Sequence, residues 1–190
     1  KLPMTFAMQY GDAPSDNNFP FDYEFKMPDF AMGTGMNVQR AQEEMKPKEP
    51  ERNVDYTNYE EGIYVGYRYF DTFSKNVSYP FGFGLSYTTF DYEVIGSSIQ
   101  DDQCEVKVAI TNSGKVPGKE AVQLYVNAPA GGLDKPSKEL KALVKTKELK
   151  PGESEVVTLV WKLMDMASFN EKTTSWELAK GTYQWMIAAS

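Results

Sequence analysis

Cys104-Glu105-Val106-Lys107-Val108-Ala109-Ile110 sets Cys104, Val106, Val108 and Ile110 on one parity and Glu105 and Lys107 on the other. Successive side chains of a strand point to opposite faces, so the run predicts a strand with one face in a core and one toward water. Asn112-Ser113-Gly114 breaks it. After Pro117-Gly118 the next run places Val122, Leu124 and Val126 on one face, and a third follows at Leu140, Ala142 and Val144.

Lys150-Pro151-Gly152-Glu153 reads as a tight turn, because proline presets φ at the second position and glycine accepts positive φ at the third. Val157, Leu159 and Trp161 form the next alternating run, and Tyr183, Trp185 and Ile187 the last. An opening run over 89–95 and a short strand near 175–178 bring the expected number to about seven. Short alternating strands separated by turn signals predict a mainly β fold, an immunoglobulin-like sandwich.

The first half of the chain reads differently. From residue 1 to about 48, Gly11, Pro14, Pro20, Pro28, Gly33, Gly35 and Pro47 interrupt every apolar run. A short helix is expected over 38–46, with only Val38, Ala41 and Met45 on one face. Between Tyr56 and Tyr87 the chain is dense in aromatics, as a packed contact surface would be. The organisation expected is therefore 1–83 as the tail of a preceding domain and linker, and 84–190 as the sandwich.

Composition excludes several kinds of chemistry. The chain has no histidine and one cysteine, Cys104, so His-dependent triads, zinc sites and internal disulfides are ruled out. A formal charge of −7 opposes binding to nucleic acid. No apolar stretch approaches the roughly 20 residues that span a bilayer, so no membrane partner is expected. Lys1-Leu2-Pro3-Met4-Thr5-Phe6 starts without an initiator methionine, and its reading is that of a sequence entered part-way.

Two stretches carry a more specific signal: Tyr59-Glu60-Glu61-Gly62-Ile63-Tyr64-Val65-Gly66-Tyr67-Arg68-Tyr69-Phe70-Asp71, and after a short spacer Tyr79-Pro80-Phe81-Gly82-Phe83-Gly84-Leu85-Ser86-Tyr87-Thr88-Thr89-Phe90. The pair resembles signature regions of glycoside hydrolase family 3, the β-glucosidases, β-xylosidases and related exo-acting enzymes. Asn112-Ser113-Gly114 before Gly118-Lys119-Glu120, Gln123-Leu124-Tyr125-Val126, Pro136-Ser137-Lys138-Glu139-Leu140 and Gly181-Thr182-Tyr183 are similar to the fibronectin type III-like domain that closes many such enzymes. Residues 24–50 have no counterpart in this motif reading.

The resemblance implies a retaining enzyme whose nucleophilic aspartate lies in an N-terminal barrel and whose acid/base lies in an α/β sandwich or nearby loop, both upstream of Lys1. Retention independently requires two carboxyls roughly 5 Å apart at a sugar-sized pocket, and no such pair is identifiable in this sequence. The site expectation is therefore none for catalytic, cofactor and metal residues alike. The implied partners are the upstream catalytic domains of the same polypeptide and the saccharide they bind. The implied location is periplasmic or secreted, in a bacterium. A surface exposed by truncation is expected to permit dimers.

Glu60, Glu61 and Asp71 are read as structural, with Arg68 available to pair with one of them. Tyr125, Trp161, Trp176 and Trp185 are candidate sugar-stacking platforms, which would make the sandwich an independent carbohydrate-binding module. The inward parity of Trp161 and Trp185 instead favours core packing. Gly11-Asp12-Ala13-Pro14-Ser15-Asp16 fails the calcium-loop spacing. Cys104 is read as a small buried hydrophobe, and the long loop 128–136 as a contact toward the missing domains.

Overall fold

The computed structural model describes residues 1–16 and 59–189; the helix expected over 38–46 lies outside them. In chain order the elements are β1 (Phe6–Ala7), α1 (Tyr67–Thr72), β2 (Val77–Tyr79), β3 (Phe90–Gln100), β4 (Gln103–Asn112), β5 (Ala121–Asn127), β6 (Glu139–Lys145), β7 (Ser154–Lys162), β8 (Ser168–Asn170), β9 (Ser175–Glu177) and β10 (Gln184–Ala188). Two antiparallel three-stranded sheets, ordered β3-β4-β7 and β10-β5-β6, face each other as a sandwich.

The alternation in β4 is obeyed at every position. Val106 pairs across from Leu159, Val108 from Val157 and Cys104 from Trp161, and all six side chains are buried in the core with Ile110, Val122, Leu124 and Leu149. Full burial of each aliphatic side chain contributes about 1.5–3 kcal/mol, so this contiguous cluster dominates the stability of the sandwich. Burial also pushes the Cys104 thiol pKa up, as suits an inert core residue.

The turn at 150–153 forms as read: Glu153 N–H donates to the Lys150 carbonyl at 2.9 Å, and Gly152 takes φ 79°. The Asn112-Ser113-Gly114 break has a stronger physical basis than a turn signal. Asn112 is fully buried. Its Oδ1 accepts from Thr88 Oγ1 at 2.6 Å and from Gly114 N at 3.0 Å. Its Nδ2 donates to the carbonyls of Val116 and Leu149, each at 2.8 Å. One amide thereby satisfies four groups from three separate stretches of chain. Position 114 is restricted to glycine because a Cβ there would lie 2.0 Å from Thr88 Oγ1 and 2.7 Å from Thr89 N.

Three details depart from expectation. Among the described residues six strands, against the about seven expected, build the sandwich, because β9 pairs with β8 in a separate hairpin. Leu140 does not continue the face of Ala142 and Val144: a bulge shifts the register so that Ala142 faces Leu124 but Leu140 faces Tyr125, on the outer side. An extra residue in one strand inverts the parity beyond it, which alternation in sequence cannot register. Finally, Trp185 keeps its inward parity, opposite Val126, yet remains 37% exposed.

Candidate functional site

The residues carrying the sequence resemblance form an aromatic seam over the outer face of the β10-β5-β6 sheet. Gly66, with φ 58°, opens the six-residue helix α1, which is too short to persist alone and is held by its packing. Tyr67 projects onto β5, its ring centroid 5.8 Å from that of Tyr125 at an interplanar angle of 78°, and 5.1 Å from Phe81. Tyr67 Oη accepts the Leu140 N–H at 2.8 Å, beside the bulge. Gly82 (φ 81°) lets the 80–83 turn lie flat on Gln123, where a Cβ would sit 2.5 Å from Nε2.

These contacts explain why β5 is buried on both faces. Val122, Leu124 and Val126 enter the core as read, while Gln123 and Tyr125 are only 1% and 2% exposed on the other side, joined by a 2.6 Å hydrogen bond from Tyr125 Oη to Gln123 Oε1. Burial, and then the nearby Tyr67 and Asp71, push the Tyr125 phenol well above its ordinary range. Burial and the Glu120 carboxylate do the same to Tyr92.

A phenol whose pKa is raised by folding stabilises the fold fully below the unfolded value near 10 and loses that contribution as pH rises toward the folded value. Stability is therefore expected to fall steeply above about pH 10, with the tyrosinate absorbance of Tyr92 and Tyr125 appearing in the same step as unfolding. Tyr125→Phe should remove part of that alkaline sensitivity.

The charged groups at the seam pair across it. Arg68 lies 3.6 Å from Glu139, and Asp71 lies 3.1 Å from Lys138, whose ammonium also sits 5.1 Å from the Tyr125 ring centroid. Arg68 thus takes its acid from β6 instead of from Glu60, Glu61 or Asp71. The reason is placement: α1 lies on the sheet and turns its charged side chains toward those of the strand end beneath. Glu139 Oε2 is also 3.9 Å from Lys135 and 3.2 Å from Lys141. Burial lowers the Lys135 pKa, against the pull of Glu139. Its Nζ donates to the Met166 carbonyl at 2.6 Å.

Loop 128–136 is tied to the same seam. Tyr64 Oη donates to Asp134 Oδ1 at 2.6 Å, Ser137 N–H donates to Thr72 Oγ1 at 2.9 Å, and Pro129 packs where a Cβ on Gly181 would stand 2.6 Å away. Glu60 is exposed, whereas Glu61 Oε2 is buried with no hydrogen-bond partner among the described residues. Among the described residues no three His, Cys, Asp or Glu side chains converge as a metal centre would.

Residues 120–190 match the fibronectin type III-like domain family. That part of the chain is a fibronectin type III-like domain. Butyrivibrio fibrisolvens β-glucosidase A is 46% identical over 158 residues, which are 72% of this chain and 19% of that enzyme. Thermotoga neapolitana β-glucosidase 3B, solved with α-D-glucose, superposes with a TM-score of 0.77 at 40% identity, over 100% of this chain and 22% of that one. The GH3 β-glucosidase of Bifidobacterium adolescentis gives a TM-score of 0.75 at 31% identity, over 98% of this chain and 23% of that one.

The resemblance to glycoside hydrolase family 3 is borne out. The chain spans about a fifth of the length of the relatives it matches. Of the four candidate platforms on the fibronectin type III-like domain, Trp161 and Tyr125 are 6% and 2% exposed, one in the core and one under the seam. Trp176 is 63% exposed but packs edge-on to Phe169, at 5.6 Å and 65°. Two of the four are thus covered, which leaves Trp176 and Trp185, the latter 37% exposed, as those with a face to solvent. Sequence reasoning missed Gln123 and Glu139, whose roles depend on what lies over them and not on their own strand pattern.

Proposed function

We propose that this chain is the non-catalytic framework of a retaining, exo-acting β-glycosidase of β-glucosidase or β-xylosidase type, working in carbohydrate degradation. Its partners are the catalytic domains of the same polypeptide and, through them, a saccharide. A periplasmic or secreted bacterial enzyme fits the same reading. The supporting observation is the seam: the motif-bearing segment 59–83 is fastened to the sandwich by Tyr67, Gly82, Arg68 and Asp71, while Leu85 and Tyr87 beside it are 94% and 100% exposed. A strut needs that combination, one side locked and the other apolar and open for neighbours. Positioning groups on separate domains to within about 0.5 Å requires such rigidity.

Tyr67→Ala in the longer enzyme is expected to lower Tm by about 5 °C and to bring thermal inactivation of aryl β-glucoside hydrolysis down in parallel, with KM kept within about twofold. An unchanged Tm with KM raised about tenfold would mean that the aromatic face contacts saccharide, and would overturn the framework reading. The alternative, an independent carbohydrate-binding module, draws its support from exposed Trp176; retardation of the chain by soluble glucans in affinity electrophoresis would favour it.

A further inference from the structure

Glu120, the residue before β5, is a carboxylate with almost no access to water, at 5% exposure. Its backbone is fixed by Thr146, whose Oγ1 accepts the Glu120 N–H and whose own N–H donates to the Glu120 carbonyl, each at 2.9 Å. From β3, in the opposite sheet, the Tyr92 phenol donates to the same carboxylate. The counter-charge comes from the first residue. Lys1 Nζ lies 3.1 Å from Glu120 Oε1 and donates to the Ala189 carbonyl at the same distance. Oε1 has no aligned hydrogen bond among the described residues, so the Lys1 ammonium is its compensation. A carboxylate this deep is strongly disfavoured unless a cation stays beside it.

The pair constrains Lys1 more than Glu120, because Glu120 is bound into the sandwich and Lys1 is not. None of residues 1–7 is buried, so no core side chain anchors this end. Leu2 N–H donates to the Phe83 carbonyl at 2.7 Å and Gly82 N–H to the Leu2 carbonyl at 2.9 Å, and Gly84 sits where a Cβ would stand 3.3 Å from Lys1 Cα. Lys1-Leu2 is therefore a thin layer over the 80–83 turn, and Lys1 Nζ supplies its direct polar links to the sandwich. We infer that Lys1 and Glu120 are a positioning pair: the buried carboxylate fixes the direction in which the polypeptide preceding Lys1 meets the sandwich. The inference rests on the framework reading above and names the contact by which the framework orients the catalytic domains. Misplacing reacting groups by about 1 Å costs about a hundredfold in rate, so a loose joint here is a catalytic defect at a distance.

Glu120→Gln keeps the shape of the side chain and its Tyr92 partner, and removes the charge together with its burial penalty. The 190-residue chain should then keep its Tm within about 2 °C, while hydrogen exchange at the Leu2 and Gly82 amides speeds up about tenfold or more and the β4 amides keep their protection. Lys1→Met strands the carboxylate instead: Tm should fall by about 5 °C or more, and adding Glu120→Gln should restore most of it. In the longer enzyme, assayed well below Tm, Glu120→Gln should lower kcat for an aryl β-glucoside about fivefold or more with KM within about twofold. Unchanged exchange at Leu2 and Gly82, or a Lys1→Met chain as stable as wild type, would overturn the pairing. An unchanged kcat would overturn the positioning role. Each of these failures leaves the framework reading standing, because that reading is tested separately by Tyr67→Ala.

Discussion

Asn112→Ala should destabilise the sandwich by about 3–4 kcal/mol, a loss at the upper end for a single substitution. The side chain is fully buried; its removal takes their Asn112 partner from Thr88 Oγ1, the Gly114 N–H and the Val116 carbonyl, and leaves the Leu149 carbonyl with only the Gly118 N–H, at 3.0 Å. Each buried group left without a partner costs about 1–3 kcal/mol, reduced where water or relaxation restores one bond. Urea unfolding should show a lower midpoint at unchanged slope, and Tm should drop by about 10 °C. Asn112→Asp should do no better, because a carboxylate would face the Val116 and Leu149 carbonyls that now receive N–H donors. A loss below about 1 kcal/mol would show that the clamp is replaceable by water.

Glu139→Gln should cost about 3 kcal/mol through a different mechanism. This single carboxylate balances Lys141, Lys135 and Arg68, and its own side chain and those of the two lysines are only 17%, 11% and 12% exposed. Breaking a buried pair from one side leaves uncompensated charge, which costs about 3–5 kcal/mol; Arg68, at 38% side-chain exposure, is better solvated and moderates the figure. Restoring the balance offers a check that a packing effect would fail. Lys135→Met in the Glu139→Gln background should recover part of the loss, and added salt should help the single variant more than the wild type. Equal salt dependence of the two proteins would contradict the charge explanation.

The sandwich was legible because β4 and β7 obey period two without interruption and the turn at 150–153 announces itself. Leu140 was misplaced because a bulge changes parity without changing composition. Trp185 was placed on the correct face but credited with too much burial, since parity reports direction and not whether anything stands opposite. The seam was half legible. The aromatic density of 56–87 pointed to a contact surface, yet nothing in Gln123 or Tyr125 reveals that β5 is covered on both sides, because the cover comes from a segment more than 40 residues away. Arg68 was assigned acids within its own segment, where sequence distance is short; the fold supplies Glu139 instead.

The central claim is that this stretch of polypeptide holds structure and performs no glycosidic chemistry itself. The most direct measurement is release of aglycone from an aryl β-glucoside by the purified 190-residue chain at high concentration. The account predicts a rate indistinguishable from the uncatalysed background. Turnover that saturates with substrate and is abolished by substituting Glu61 would contradict it.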